Sequence, residues 1–523
     1  MTASHRQHLS DTPPTTITIY TIMTRKTSLI TIVAILLAAS AWVIVQNTGR
    51  EPKAIASIAD IKGCIIGVQL GTTGDVKASA LEKEGHNEVE RYTKAADAVQ
   101  ALTQGKIDCV VVDEQPAYAF CRQTNGIRVL AEPLSTEYLA MCLAKPDSIM
   151  ARMVNNAIRT LKQKGIIGTI IDRHIKGEAS TAYAPKRGGR AAGVLTVATN
   201  ATFKPYEYYD HGNIVGIDID IAHAIADELN MDIKVEDMEF DAIIAAIQNG
   251  KARIGAAGMT VTPERKGSVL FTEPYATSRK MVIVRDNNGS ATAGHGIISR
   301  FKNNFIADGR YTYLLKGLGN TLIITVCAML ISLLLGTLIA VIRTTHDNNG
   351  SMPIANILCK TYLMIIRGTP TMVQLLIIYY VVFAAVDISK VLVAVVAFGL
   401  NSAAYLAEVI RSGIMAVDKG QMEAGRSLGL SYATTMRRIV MPQAFKNVLP
   451  AIGNELITLL KETSISGYIG LTDLTKGSDI IRSITYDAMM PLGLVAAIYF
   501  MLVMALSTGI SRIEKRMRKN EYR

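Results

Sequence analysis

The sequence predicts a multidomain chain: an α/β part, then an all-α membrane domain of five spans, behind an N-terminal membrane anchor helix. Three observations carry this. Hydrophobic residues make up 49% of the 523 and charged ones only 19%, a balance between soluble and lipid-embedded proteins. Short apolar runs alternate with helical periodicity up to residue 285, whereas long uncharged runs dominate beyond residue 310. The basic residues behind the net charge of +11 cluster beside the apolar runs. There they act as topology determinants, and the basic C-terminal stretch lacks the aromatic interleaving of a nucleic-acid surface.

Residues 1–26 are polar and Thr-rich and read as a disordered cytoplasmic N-terminus. Arg25 and Lys26 precede an uncharged stretch, 27–48, which reads as a signal anchor and places the following chain outside the cytoplasm. In the next part, apolar strands at 64–69 and 109–112 alternate with helices at 95–103 and 150–164. A Gly/Ala/basic linker covers 179–193. Strands are then expected at 194–199, 231–235, 253–256 and 280–284, with helices at 218–229 and 241–248. Residues 287–304 read as a flexible linker. None of the six cysteines shows CxxC spacing, which argues against a metal site. Small buried side chains are favoured, and a Cys64–Cys109 disulfide is an alternative in an oxidising compartment.

Uncharged runs at 317–342, 368–386, 391–407, 447–460 (interrupted by Glu455) and 488–510 read as five spans within a domain at 305–520. If the first starts outside, the loops holding Arg343, Lys360 and Arg367, and Arg411 to Lys446, are cytoplasmic, as is the C-terminus. The positive-inside rule and the anchor therefore agree. The second of these loops contains Glu423-Ala424-Gly425-Arg426-Ser427-Leu428-Gly429, then nine residues, then Ile439-Val440-Met441-Pro442. A compact amphipathic helix over 422–428, stopped by Gly429, suits docking in a groove. The spacing resembles the EAA loop of ABC importer permeases, with Gly425 for the second Ala and Met441 for a Leu. Gly319-Asn320-Thr321-Leu322, Arg367-Gly368-Thr369-Pro370 and 459–464 resemble the histidine/glutamine-type amino-acid branch of that family. The resemblance implies ATPase coupling by Glu423, Ala424, Gly425, Gly429, Ile439 and Pro442. No Walker A motif is present, since Gly71 to Lys77 is too short, so ATP hydrolysis falls to a separate ATPase subunit, and the chain itself is no enzyme. Asn401, Glu455 and Lys461 are candidates for a polar translocation path. The competing reading of Glu455 and Lys461 is a helix-end pair reaching toward the interface.

In the α/β part the chemistry of Gly258-Met259-Thr260-Val261-Thr262-Pro263-Glu264-Arg265 is legible directly. A guanidinium fork matches a planar carboxylate, and a Thr hydroxyl with backbone N–H groups completes the cradle. Together with Thr199 to Glu207 and Gly216 to Asp220, this stretch resembles the first lobe of extracytoplasmic amino-acid-binding proteins, of the type II periplasmic-binding-protein architecture. The resemblance implies ligand contacts from Asn200, Phe203, Phe240, Gly258, Thr260 and Arg265, the two rings sandwiching the ligand side chain. Residues 54–134 resemble the second lobe, with Gln69, Thr72, Thr73 and Asp113 as contacts, Asp113 meeting the ligand ammonium. Residues 138–178 resemble the return segment, which joins 194–285 in the first lobe.

The order is permuted: second lobe and return come first, the main part of the first lobe follows, and nothing is duplicated. The expectation is one complete module whose new ends fall at the interlobe hinge, losing one of two chain crossings and bringing Arg285 near Glu51. The whole implies a permease subunit of an amino-acid importer with its own binding domain, no cofactor, and a homodimer in the plasma or inner membrane. The module would lie outside and the EAA loop and C-terminus inside. Asn200, where many binders of cationic amino acids carry an acid, favours a polar neutral substrate. An amino-acid-sensing receptor is the alternative, disfavoured by five spans and no signalling domain.

Overall fold

The computed structural model describes residues 53–177, 183–185, 192–286, 296–384, 386, 388–487 and 489–519. The expected N-terminal segment and anchor at 1–48, and Glu51, lie outside the described residues.

The first sheet is organised around β1 (Ile65–Gln69), buried at every position. It runs parallel to β2 (Glu88–Tyr92) on one side and β3 (Cys109–Asp113) on the other, as a continuous apolar strand should. Gly71, at φ 75, makes the turn out of β1, and Thr72 caps the helix Thr73–Lys83 by accepting from the Asp75 N–H. β4 (Ile127–Val129) and β5 (Ser135–Leu139) complete the N-terminal contribution. β6 (Cys142–Ala144) belongs to a second sheet with β7 (Val194–Thr199), β11 (Asp232–Asp237), β12 (Ile254–Gly255) and β13 (Val269–Phe271), in the order β11-β7-β12-β6-β13. A small sheet joins β8 (Thr202–Phe203), β9 (Glu207–Asp210) and β10 (Asn213–Val215). β14 (Ala276–Arg285) leaves the second lobe's neighbour and enters the first sheet between β3 and β4.

Two expectations are corrected here. Residues 276–285, assigned by sequence to the lobe of 194–285, pair with β3 and β4 because Met281 to Val284 are buried on both faces and need strands on each side. An apolar strand does not announce which sheet it completes. Consequently no crossing is lost: β5 to β6 and β13 to β14 both pass between lobes. β5 and β14 also pair antiparallel, Ala276 opposite Leu139 and Lys280 opposite Ser135, forming a two-stranded hinge. The six cysteines are all unbridged thiols, Cys64 and Cys109 sharing one apolar cluster.

Of the linker expected at 287–304, residues 297–304 are helical, while 287–295, and most of the linker expected at 179–193, lie outside the described residues. The helix Ile297–Phe301 is pinned where Arg300 forms a fork on Asp487 and Asn304 donates to Asp487 and accepts from Thr485. The membrane domain then follows as Tyr311–Asn349, Pro353–Arg367, Thr371–Ile377, Lys390–Met415, Lys419–Ser427, Met441–Glu462, Leu474–Thr485 and Met489–Lys519. Among the described residues three helices are long and apolar enough to cross a membrane. A fourth span arises if Pro353–Arg367 and Thr371–Val382, bent by 107°, count as one. Met441–Glu462, which carries Lys446, Glu455, Lys461 and Glu462, is not among them. Gly336 and Gly399 let helices approach closely: a Cβ on Gly336 would lie 3.1 Å from the Ala403 carbonyl, and one on Gly399 2.9 Å from Ile331. One apolar cluster continues from lobe residues such as Met238 and Met259 into the span residues Tyr379 and Phe398.

Candidate functional site: a closed cleft between two lobes

The two lobes meet at a cleft with about 20 Å³ of space, lined by Gln69, Thr72 and Thr73 on one side and by Asn200, Phe203, Phe240, Gly258, Thr260 and Arg265 on the other. Nine residues singled out in the sequence thus converge, and Ala257, Glu207 and Lys280 join them. That space admits about one water and is far too small for an amino acid, so a ligand enters only when the lobes part.

Arg265 bridges the lobes. It sits in the single turn Pro263–Lys266, capped by the Thr262 hydroxyl, which accepts from the Arg265 N–H at 3.2 Å. Its guanidinium donates to the Thr260 carbonyl at 2.8 Å and, across the cleft, to the Gly71 carbonyl at 2.8 Å. It also lies over the Phe240 ring at 5.4 Å. Burial holds its pKa below the ordinary value, although it remains a cation. Gly258 adopts φ +54, and a Cβ there would stand 3.2 Å from the Phe203 ring. Its N–H donates to Asp218 at 2.7 Å, and Asp218 also accepts from the Tyr275 hydroxyl at 2.6 Å. Asn200 donates to the Met238 carbonyl and accepts from Thr202, so its amide is held by its own lobe.

At the hinge, Thr73 and Thr260 both donate to Glu137, at 2.6 and 2.8 Å. Lys280 pairs with Asp113 and lies 3.8 Å from Glu137. Asp113 also accepts from Ser278 at 2.7 Å, so this carboxylate is buried on β3 beside the cleft, held by Lys280 and Ser278. Burial pushes Glu137 up, but Lys280 and the two hydroxyls outweigh it and leave the carboxyl below its ordinary range. Glu207 is fully buried, and one of its carboxyl oxygens has no hydrogen-bond partner among the described residues. Burial, with Asp218, Asp113 and Asp237 nearby, raises its pKa well above the ordinary carboxylate value. Sequence reasoning missed Lys280, Glu137 and Glu207. A charge inside the apolar run 276–285 was the available signal, because buried lysines are rarely unpaired.

Between Lys390–Met415 and Met441–Glu462, Lys419–Ser427 is a helix capped by Asp418. Glu423, Ala424 and Gly429 are exposed, and so is Pro442. Gly425 is buried, and a Cβ there would lie 2.5 Å from Thr435 and 3.1 Å from Ile439, which explains why small residues and a fixed spacing to Ile439 are needed. Leu428 is 81% exposed. Within the membrane domain Asn401 donates to Gln374 at 2.9 Å, and Ser402 donates to Glu455 at 2.7 Å. Lys461 is exposed, away from this pair.

A cleft-closing two-lobed module on a helical membrane domain defines a binding-protein-dependent transport protein. The family model described as bacterial extracellular solute-binding proteins, family 3, matches residues 195–492. The arginine transport system permease protein ArtQ of Bacillus subtilis (strain 168) is 39% identical over 211 residues, 40% of this chain and 94% of that protein. A putative glutamine transport system permease protein GlnP of Rickettsia typhi (strain ATCC VR-144 / Wilmington) is 35% identical over 207 residues, 39% of this chain and 93% of that one. A crystal structure of an amino acid ABC transporter with histidines shares 42% identity over 40% of this chain and 98% of its own, at a TM-score of 0.37. The chain belongs to family 3 of the bacterial extracellular solute-binding proteins and, through its membrane domain, to the amino-acid permeases of ABC importers. It is a transport subunit of the inner membrane and not an enzyme, and its kinship with permeases of ABC importers implies an ATPase partner.

Proposed function

We propose that this chain captures a polar amino acid of zero net charge, such as glutamine, in its own cleft and passes it to its own membrane domain. The observation that carries the substrate class is the charge balance of the cleft. Arg265 and Lys280 on the cleft wall are offset by Asp113 and Glu137 at the hinge beside it, and burial favours the neutral form of Glu207. A zwitterion keeps that balance, whereas a ligand with net charge strands one buried charge at a cost of about 3–5 kcal/mol. In this reading the ligand carboxylate takes Arg265 and Thr260, Gly258 lines the pocket with its N–H held by Asp218, and the ammonium competes with Lys280 for Asp113. Phe203 and Phe240 flank the side chain, and Gln69, Thr72 and Thr73 close over it. The free oxygen of Glu207, on a carboxyl that both donates and accepts, complements a carboxamide.

The remaining architecture follows the same reading. The Met441–Glu462 helix, with Pro450 inside it, counts as the fourth of five spans, its polar face against Ser402. The module and the start of Tyr311–Asn349 face outward. The Lys419–Ser427 helix faces the cytoplasm and presents Glu423, Ala424, Gly429 and Leu428 to the ATPase, with Ile439 and Pro442 backing it. Asn401 and Glu455 mark the path, Lys461 its end, and two permeases form a homodimer. The names of the relatives mention arginine and glutamine. A calorimetric panel on the purified chain separates them. Tightest binding of glutamine or another neutral polar amino acid supports the reading, and a preference for arginine or glutamate by more than about tenfold refutes the charge argument.

A further inference from the structure

A cavity of about 500 Å³ opens on the membrane domain where three cations meet one acid. Arg343 comes from Tyr311–Asn349, Lys360 and Arg367 from Pro353–Arg367, and Glu408 from Lys390–Met415. The close approach at Gly336, about two turns before Arg343, sets that side chain beside Glu408. Glu408 does not balance all three cations. It pairs with Arg367 at 2.6 Å, whereas Arg343 stands 3.9 Å away, beyond hydrogen-bond reach. The Arg343 Nε is buried and has no hydrogen-bond partner among the described residues. Among those residues no carboxylate lies within ion-pair distance of Lys360, and the neighbouring Asp347 is taken by Arg411 at 2.8 Å. The Arg367 guanidinium lies over the Tyr405 ring at 5.6 Å, which holds its fork at the cavity wall.

The position of the cavity narrows what can fill it. Lys390–Met415 starts at the binding module, where Lys390 pairs with Glu236 at 2.7 Å. Glu408 lies about 27 Å further along that helix. The distance approaches the hydrocarbon thickness of a bilayer, about 30 Å, so the cavity sits near the membrane boundary opposite the module. On the proposed orientation this is the cytoplasmic leaflet, where anionic lipids attract basic side chains. Beside the cavity, Ile357, Leu358, Met364 and Ile365 of Pro353–Arg367 are each more than half exposed. An excess of positive charge next to an apolar outer face suits an amphiphile with an anionic head. Without such an anion, two cations stay uncompensated at the edge of the lipid, which is costly.

We infer that this cavity binds the phosphate of an anionic phospholipid, with Arg343 and Lys360 as its main partners, Arg367 completing the cradle, and the acyl chains lying along Pro353–Arg367. A free phosphate shares the head-group chemistry but makes no use of the apolar face. The inference rests on the membrane domain alone and is independent of the amino acid carried.

The test uses the full chain in detergent, titrated with phosphatidylglycerol or phosphatidylcholine and read by native mass spectrometry. Phosphatidylglycerol is expected to be retained at least about fivefold more tightly than phosphatidylcholine. Lys360→Gln and Arg343→Gln are each expected to weaken phosphatidylglycerol by about fivefold and to leave phosphatidylcholine unchanged. Lys360→Gln breaks no ion pair among the described residues, so it keeps the test decisive if Arg343→Gln fails to fold. Arg512→Gln removes the same charge from an exposed position on Met489–Lys519, outside the cavity, and is expected to leave retention within about twofold. Equal retention of the two lipids, no weakening in Lys360→Gln, or an equal loss in Arg512→Gln overturns the inference. So does displacement of the lipid by inorganic phosphate at the lipid's own concentration, which assigns the cavity to a free anion.

Discussion

Arg265 is the side chain on which the cleft closes, since it holds Thr260 in its own lobe and Gly71 in the other. Arg265→Ala is expected to weaken amino-acid binding by about 2–5 kcal/mol, measured by calorimetry, because it strands the ligand carboxylate in a closed site. On the proposed charge balance, Lys280 sets charge selectivity. Lys280→Met leaves Asp113 and Glu137 without their cation, and selectivity is expected to move toward arginine and lysine in a competition assay; unaltered preference would contradict the charge balance. Asp218 supports Gly258 from beneath. Burial pushes its carboxyl up to about 6, against the opposing pull of Tyr275 and the Gly258 N–H. The folded chain therefore keeps a proton that the unfolded chain has lost, and this group's stabilisation, full below pH 4, fades by about 3 kcal/mol as pH rises through 6. Asp218→Asn removes that dependence, so the stability of the variant relative to the original should rise between pH 4 and 7, followed by thermal unfolding in detergent.

At the scale of elements, the segment proposed to couple to the ATPase is the sharpest case. The exposed Leu428 and the left-handed Gly429, at φ 81, end the Lys419–Ser427 helix with an apolar tip. Gly429→Asp places a side chain in a conformation L residues resist and a charge where a groove should receive it. ATP-driven uptake should be abolished while amino-acid binding stays within about twofold, and intact uptake would remove this helix from ATPase coupling. This element was legible because its spacing is set by one local contact, Gly425 against Thr435 and Ile439. Strands β1, β3 and β7 were equally legible as short apolar runs, and the helix Ala95–Thr103 as an amphipathic one. The Leu474–Thr485 helix was not, because Lys476, Asp479 and Arg482 make it look like a solvated loop, and their partners lie more than 200 residues away. The fate of β14 was hidden for a related reason: its apolar run fits either sheet, and only the gap between β3 and β4 decides.

At the scale of the whole molecule, the binding module's second lobe precedes its first, yet both hinge crossings survive, because β13–β14 supplies the passage that the permuted order was expected to remove. The module contacts the membrane domain of the same chain, and on the proposed function capture and delivery need no diffusing binding protein. The most direct test of that claim is uptake by the chain reconstituted with its ATPase alone. The account predicts ATP-dependent accumulation of a neutral polar amino acid without any added binding protein, and its loss in Arg265→Ala. Uptake that appears only when a separate binding protein is supplied, or that survives Arg265→Ala unchanged, would contradict it.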